Sequence, residues 1–254
     1  MKQYSAYLFD LYGTLVDIHT DENKAGFWKE MAAYYRSHGA AWEAEGLRAE
    51  YLRLCAAQTA ELQAKSPDAA VEIDLLPVFR ALYTEKNVQP GDALPADSAW
   101  AFRRASTTHL RAYAGAAELL DALRAAGRRV ILLSNAQGCF TRPELRLLGL
   151  AERFDRICIS SEIGFQKPDP RFFRAPLREL GLDPSDCLMI GNDPRCDIGG
   201  ARRVGMDAVY IRSGLSPEET PPPGSAVLSL SRMDLKALRR ALLRRGGRET
   251  GEAQ

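Results

Sequence analysis

Four short apolar runs constrain the fold of this chain more than any other feature of its sequence. They are too short for typical helices and are bounded by turn residues, as strands buried on both faces are. The runs cover residues 6–9, 129–133, 156–160 and 187–190, with residues 208–211 as a fifth candidate. Helical patterns that end at a glycine, the residue that most readily terminates a helix, separate the later runs. This alternation predicts an α/β fold with a doubly wound parallel sheet.

The stretch after the first run breaks this rhythm. Residues 24–37, 42–64, 72–86 and 98–111 have helical patterns, and no strand pattern lies among them. Because the stretch directly follows the loop after the first strand, we interpret it as a lid over that loop rather than as a bundle that only completes the fold. We therefore predict three parts: a discontinuous Rossmann-like core of residues 1–16 and 113–245, an inserted α-helical cap of residues 17–112, and a disordered tail at residues 246–254.

Charge balance and composition exclude several classes of function. The 34 lysines and arginines nearly equal the 33 aspartates and glutamates, so the chain lacks the basic excess of a typical nucleic-acid-binding protein. No run of about 18 apolar residues is present, which argues against a membrane partner. Five scattered cysteines without a C-x-x-C pair suit a reducing compartment, and the presence of only three histidines argues against a zinc site. We expect a cytoplasmic monomer or homodimer.

Polar residues follow each of the four runs. Ligands of an open α/β sheet bind at the carboxyl ends of its strands. In chain order the residues are Asp10, Ser134 with Asn135, Lys167, and finally Asn192, Asp193 and Asp197. Each one alone is explained as a helix cap or part of a turn. A carboxylate, a hydroxyl with an amide, a lysine and further carboxylates at consecutive strand ends together predict a functional site at one edge of the sheet.

These blocks resemble, in order and spacing, the motifs of the haloacid dehalogenase superfamily of hydrolases, and the resemblance covers nearly the whole chain. The residues that carry it are Asp10-Leu11-Tyr12-Gly13-Thr14-Leu15, Ser134-Asn135, Lys167-Pro168-Asp169 and the acidic stretch 191–197. The helical stretch is similar to the type 1 α-helical cap of that family. The resemblance therefore implies a hydrolase that acts on a small-molecule anionic substrate.

The resemblance also implies a role for each matching residue. Asp10 is the nucleophile, which forms a covalent aspartyl intermediate that water then cleaves. Ser134 and Asn135 bind the anionic group of the substrate. Lys167 binds the substrate and neutralises charge around the nucleophile. Thr14 orients Asp10 or the loop that follows it.

The residue two positions after Asp10 departs from the phosphatase pattern of the family. Phosphatases carry a second aspartate there to protonate the leaving alkoxide, whereas this chain has Tyr12. A phenol, with a pKa of about 10, is a poor acid near neutrality. The string around Asp10 resembles the 2-haloacid dehalogenase branch, whose departing halide needs no proton. However, Phe173 stands where that branch has a tyrosine, and its arginine has only two candidates here, Arg36 and Arg48.

The fourth block favours the opposite branch. Asp193 and Asp197 are similar to the acidic pattern of magnesium-dependent members, with Asn192 inserted into it. Beside Asp10 these carboxylates would repel one another strongly without a cation, and Mg²⁺ prefers hard oxygen ligands. We therefore predict a Mg²⁺ cofactor held by Asp10, the backbone carbonyl of Tyr12, Asp193 and Asp197.

The opposing signals leave three hypotheses. The favoured one is a Mg²⁺-dependent phosphohydrolase acting on a small phosphorylated metabolite, because an uncompensated carboxylate cluster is costly whereas water or a good leaving group can replace a missing acid. The alternative is a 2-haloacid dehalogenase-type carbon–halogen hydrolase without metal. The third is a catalytically weak binding or regulatory member, which Tyr12 suggests.

Overall fold

A six-stranded parallel sheet forms the centre of the protein in the computed structural model, which describes residues 2–217 and 224–243. In spatial order the strands are β5 (Arg156–Ile159), β4 (Arg129–Ser134), β1 (Ala6–Phe9), β6 (Cys187–Gly191), β7 (Asp207–Ile211) and β8 (Leu228–Leu230). The five strands predicted from the apolar runs are confirmed, with ends that differ by at most one residue, and β8 lies outside those runs. Strand order reverses around β1, so the carboxyl end of β1 is where a ligand is expected.

The helical insert, residues 17–112, contains four α-helices between β1 and β4. They are α1 (Phe27–Ser37), α2 (Ala44–Lys65), α3 (Leu75–Thr84) and α4 (Leu94–Ser106). Their apolar side chains form a hydrophobic cluster of their own, in which Phe27, Phe79 and Phe102 are at most 2% exposed. Phe140, which lies outside the insert, also joins this cluster. The insert therefore has its own core and packs against the rest of the protein through Phe140.

The prediction that no strand lies in the insert was wrong. Its two ends pair as an antiparallel sheet of two strands, β2 (Val16–Thr20) and β3 (Thr107–Ala112). The helix predicted over 98–111 ends at Ser106 instead. There the hydroxyls of Ser106 and Thr107 donate to the carbonyl of Arg103, at 3.0 and 2.6 Å, and such bonds compete with a continuing helix. The partner that makes β3 a strand lies about 90 residues away along the chain, at β2, beyond the reach of a local pattern.

Both faces of the central sheet are covered, which explains the uninterrupted apolar runs. Along β1, Tyr7 and Phe9 join one hydrophobic cluster, and Ala6 and Leu8 join another on the opposite face. The covering helices are α5 (Ala116–Ala125), α6 (Gly138–Leu147), α7 (Ser160–Ile163), α8 (Pro170–Leu180), α9 (Gly200–Arg203) and α10 (Leu235–Leu243).

Three shorter helical elements complete the core. Two are 3₁₀ turns, Ala151–Arg153 and Pro184–Asp186. The third is a π-helical segment, Pro194–Gly199, which overlaps the helical pattern of residues 197–204. The predicted tail at residues 246–254 lies outside the described residues. Within residues 2–217 and 224–243, no helix is both long enough and apolar enough to cross a bilayer.

A short segment of the insert, residues 70–75, is hydrogen-bonded to the core, and we call it the docking segment. The backbone N–H of Gln166 donates to the carbonyl of Ala70 at 2.9 Å, and the N–H of Glu72 donates to the carbonyl of Gly164 at 3.1 Å. These bonds fix the loop between α7 and α8 against the insert. That loop carries the predicted lysine of the site.

Candidate active site

Three charged side chains meet at the carboxyl edge of the sheet. Asp10 directly follows β1, Lys167 lies in the loop between α7 and α8, and Asp197 lies in the π-helical segment after β6. The Nζ atom of Lys167 is 2.7 Å from Oδ1 of Asp10 and 2.7 Å from Oδ1 of Asp197. The side chains of Lys167 and Asp197 are at most 2% exposed, and that of Asp10 is 11% exposed. One buried ammonium therefore bridges two buried carboxylates.

This bridge shifts the proton equilibria of its members. Burial disfavours the charged form of Lys167, but the attraction of Asp10 and Asp197 outweighs it, so the pKa of the lysine is raised and it stays protonated. Burial raises the pKa of Asp197 to about 6, against the attraction of Lys167, and repulsion by Asp10 adds to the rise. The bridge is therefore complete only above that pH.

Two glycines allow the site to close this tightly. A Cβ atom at Gly191, the last residue of β6, would overlap the carboxylate of Asp197. A Cβ atom at Gly13 would lie 2.8 Å from Cγ of Asn192, and Gly13 has a φ of 85°, a left-handed conformation that favours glycine. Glycine is thus required at position 13 by both backbone shape and space.

Thr14 contacts Asp10, the predicted nucleophile. Its Oγ1 atom lies 3.3 Å from Oδ2 of Asp10 and 3.2 Å from Oδ1 of Asn192, and its single hydroxyl hydrogen can be donated to one of them at a time. Asn192 is 5% exposed and lies at the same edge of the sheet. The only sequence feature that indicated this location for Asn192 was that it directly follows a buried strand.

Asn135 binds the backbone of Lys167 from both sides of its amide. Its Nδ2 donates to the carbonyl of Lys167 at 3.0 Å, and its Oδ1 accepts from the N–H of Lys167 at 2.7 Å. Ser134 is fully buried, and its hydroxyl has no hydrogen-bond partner in the described parts of the chain. In this arrangement Asn135 positions Lys167, and Ser134 lies behind the edge of the sheet rather than on the cavity wall.

Tyr12 extends its hydroxyl away from the lysine bridge, toward α6. The hydroxyl lies 3.0 Å from Oγ1 of Thr141 and donates to the carboxylate of Glu144. Glu144 also pairs with Arg103 of α4 at 2.6 Å. Burial, followed by the nearby charge of Glu144, raises the pKa of Tyr12, so the phenol keeps its proton. No sequence pattern indicated Arg103 or Glu144, because their pairing depends on how α4 packs against α6.

The predicted magnesium ligands do not form one carboxylate cluster. Oδ1 of Asp193 accepts from the N–H groups of Arg195 and Cys196, at 2.8 Å each, and so caps the π-helical segment. Across residues 2–217 and 224–243, no three His, Cys, Asp or Glu side chains are grouped to hold a metal ion. The repulsion between Asp10 and Asp197, on which the prediction of Mg²⁺ rested, is already balanced by Lys167. As arranged, these residues do not fit a three-carboxylate Mg²⁺ site.

The two candidates for the dehalogenase arginine, and the phenylalanine that replaces the dehalogenase tyrosine, lie away from the lysine bridge. Arg36 donates to the carbonyl of Trp42 and to Glu43, and Arg48 donates to Asn23 at 3.2 Å. Phe173 is fully buried in the core. None of the three lines the cavity at the lysine bridge.

A cavity of about 180 Å³ opens onto the lysine bridge. Its walls include Asp10, Tyr12, Asn135, Lys167, Asp193 and Asp197, together with three residues for which no role was predicted, Asn192, Cys196 and Leu215. The structure thus brings six of the eight predicted site residues to one small cavity. Of the other two, Thr14 supports Asp10 from below and Ser134 is enclosed. A space of this size suits a substrate of a few heavy atoms.

Comparison with known proteins points to one family and to two activities within it. Over 230 residues the chain is 28% identical to (S)-2-haloacid dehalogenase 4A of Burkholderia cepacia, and this alignment covers 90% of this chain and 92% of that protein. It is 39% identical to phosphoserine phosphatase of Thermus thermophilus, but only over 107 residues, 42% of this chain and 43% of that protein.

Structural comparison and a family model agree with these relatives. The crystal structure of a HAD phosphatase from Thermococcus onnurineus has the same fold, with a TM-score of 0.58 and 20% identity over 94% of this chain and 97% of that one. The model of the haloacid dehalogenase-like hydrolases matches residues 4–205. The chain therefore belongs to the haloacid dehalogenase-like hydrolase family.

Proposed function

We propose that this hydrolase cleaves the carbon–halogen bond of a small 2-haloalkanoate through an ester of Asp10, without a metal ion. The observation that carries the proposal is the bridge of Lys167, whose Nζ lies 2.7 Å from both Asp10 and Asp197. The single ammonium lies between the two carboxylates and offsets their mutual repulsion, so no divalent cation is required to hold them together, and the three groups keep a net charge of −1. The order of preference between the two main hypotheses is thereby reversed from that given by the sequence.

The reaction proceeds in two steps that balance without a further reagent. A carboxylate oxygen of Asp10 attacks the carbon that bears the halogen, and the halide leaves with the electron pair of the broken bond. Water then hydrolyses the ester, which releases the 2-hydroxy acid and a proton and restores the carboxylate of Asp10. Lys167 stabilises the negative charge on Asp10 before attack and the charge on the ester oxygen during hydrolysis.

The protonation and hydrogen bonds of Tyr12 determine which leaving groups suit the site. A halide departs as an anion without a proton, whereas the alkoxide of a phosphate monoester needs an acid. The phenol of Tyr12 has a raised pKa and its hydroxyl is engaged by Glu144 and Thr141. Substrates whose leaving group departs without a proton therefore suit this cavity best.

The relatives support this proposal through the share of the chain that they align with, not through their percentage identity. The haloacid dehalogenase aligns with 90% of this chain, including the helical insert, while the phosphoserine phosphatase aligns with less than half of it. An alignment that includes the insert bears on the region most able to select a substrate, because such elements close over the cavity and exclude water.

A Mg²⁺-dependent phosphohydrolase of a small phosphorylated metabolite is the second candidate. It is favoured by Asp193, which lines the cavity and spends only Oδ1 on backbone amides, and by the identity to a phosphatase. It requires Asp193 to turn toward Asp10, away from its capping position. The third hypothesis, a binding member without turnover, has no observation in its favour beyond the position of Tyr12.

One set of assays distinguishes the three candidates. Release of halide from 2-chloropropionate and of phosphate from p-nitrophenyl phosphate is measured with Mg²⁺ and with EDTA, for the wild type and Asp10→Asn. Halide release that persists in EDTA and is lost in Asp10→Asn is expected. Phosphate release that depends on Mg²⁺, without halide release, would overturn the proposal in favour of the second candidate. A folded wild type that turns over neither substrate would overturn both.

A further inference from the structure

We propose that a second cavity, between the helical insert and α6, binds a small amphipathic anion with an aromatic or branched apolar body and one carboxylate or sulfonate group. The cavity lies among α4, β3 and α6, and its walls include Trp100, Arg103, Arg104, Leu110, Glu144 and Leu147. None of these residues lines the cavity at the lysine bridge.

The volume of this second cavity fits a small molecule. It is about 470 Å³, against about 180 Å³ at the lysine bridge. Pockets that bind small molecules have volumes of about 300–1,000 Å³. The larger cavity of the two is therefore not the one that contains Asp10.

Arg104 gives the second cavity an uncompensated positive charge. Arg103 is paired with Glu144 at 2.6 Å, and the ring of His109 lies 3.3 Å from Asp17. Arg104 is exposed and forms no ion pair with any residue of the described ranges. A guanidinium presents two parallel N–H groups that match a carboxylate or sulfonate, so Arg104 sets the anionic group of the ligand.

Leu147 indicates that the ligand has an apolar part. It is 70% exposed, the most exposed large hydrophobic side chain in the part of the chain that the structure describes. Trp100 and Leu110 are half-buried and line the same cavity. An apolar side chain kept in water next to a free cation is stabilised by a ligand that covers both.

The floor of the second cavity is coupled to the first one. The guanidinium carbon of Arg103 lies 5.5 Å from the centre of the Tyr12 ring, and Glu144 accepts the hydroxyl hydrogen of Tyr12. A ligand that rests on Arg103 and Glu144 is thus separated from the catalytic cavity by a single side chain, that of Tyr12. Such a ligand would touch the ion pair that joins the insert to the core.

Fluorescence titration of the full chain with 8-anilino-1-naphthalenesulfonate tests this site. We expect saturable binding at one site, weakened about tenfold in Arg104→Gln, the effect of losing one charge-assisted hydrogen bond. Leu147→Asn is expected to weaken binding as well. Phenylacetate is expected to displace the probe, and inorganic phosphate is not, because it has no apolar body. Circular dichroism verifies that each variant is folded.

Matched controls come from a different cavity and a different helix. Arg178 is an exposed arginine of α8 that lines a cavity of about 480 Å³, and Leu52 is 53% exposed on α2. Arg178→Gln and Leu52→Asn are expected to leave binding unchanged. Equal weakening in Arg104→Gln and Arg178→Gln, or no weakening in either, would overturn the proposal, as would displacement by phosphate. Binding is measured without turnover, so the result stands apart from the test of the proposed function.

Discussion

Arg103 of α4 donates a hydrogen bond from Nε to Oε1 of Glu144 on α6, at 2.6 Å, and this pair joins the helical insert to the core. The side chain of Glu144 is 2% exposed and that of Arg103 is 14% exposed. Glu144 also accepts from the hydroxyl of Tyr12, two residues after the predicted nucleophile. A single buried carboxylate therefore holds both the insert and the loop that follows β1.

Removal of Arg103 is expected to destabilise the protein strongly. Arg103→Met leaves Glu144 buried without its cation, which lowers the free energy of unfolding by about 3–5 kcal/mol. Urea unfolding followed by circular dichroism measures the loss. Arg104→Gln is the control, because this neighbour is exposed and unpaired in the described chain, and it changes the free energy by no more than about 0.5 kcal/mol. Similar losses in the two variants would contradict a buried ion pair.

The pH dependence of hydrolysis is expected to report Asp197. Its pKa is raised to about 6, so below that pH its carboxyl is protonated and Lys167 loses one of its two anionic partners. We expect kcat/KM to fall about tenfold per pH unit below pH 6, as for the protonation of a single group. Steady-state rates between pH 4 and pH 8 measure this, within the range in which the protein remains folded.

Glu72 provides the control for that assignment and a second sign to check. Burial also raises the pKa of Glu72, but Glu72 lies in the docking segment, so Glu72→Gln is expected to keep the acid limb. For stability, the pKa of Asp197 in the folded protein lies above 3.8, the ordinary value for this side chain, so ionisation of Asp197 makes folding less favourable as the pH rises from 3.8 to about 6. If Glu72→Gln abolishes the fall in kcat/KM below pH 6, that fall reports Glu72 and not Asp197.

Gly13→Ala is expected to reduce activity far more than Gly164→Ala. Both glycines have a φ of 85°, so both substitutions carry the same left-handed strain of about 1–2 kcal/mol. Only at Gly13 does a Cβ atom overlap Asn192, which contacts Thr14 beside Asp10; at Gly164 nothing lies within 4 Å. We expect kcat to fall about tenfold or more in Gly13→Ala, since small displacements of reacting groups cost that much. Equal kcat values in the two variants would show that the contact with Asn192 is irrelevant.

Heavy-oxygen water tests the ester at Asp10. If the ester is hydrolysed at its acyl carbon, the new hydroxyl of the first product comes from the carboxylate of Asp10, and water refills that position. After many turnovers, mass spectrometry of the peptide that contains Asp10 is expected to show the label, and enzyme incubated without substrate is expected to show none. Label that enters only the product would indicate direct attack by water.

The part of the site that could be predicted depends on one rule about sheets. Asp10, Lys167 and Asp197 were expected at one edge because each follows a strand, and the structure brings them within salt-bridge distance. The choice between Asp193 and Asp197 could not be made from spacing, because it depends on which carboxylate caps the π-helical segment. That choice determines which carboxylate faces Lys167.

The fold was predictable where the pattern is local and not where pairing is distant. Five of the six core strands, all but β8, are continuous apolar runs, and their ends were placed to within one residue. The pairing of β2 with β3 was missed, since a strand with mixed polarity gains its identity from its partner. The same applies to Arg103 and Glu144, which lie 41 residues apart on two helices that carry charges on their surfaces.

The docking segment links the position of the insert to the position of Lys167. Ala70 and Glu72 hydrogen-bond to the loop between α7 and α8, and Lys167 lies in that loop. Because backbone groups stripped of partners must find water, the insert can swing away from this side only when the loop is hydrated. The hydrogen bonds of residues 70–75 therefore couple any displacement of the insert on this side to the loop that carries Lys167.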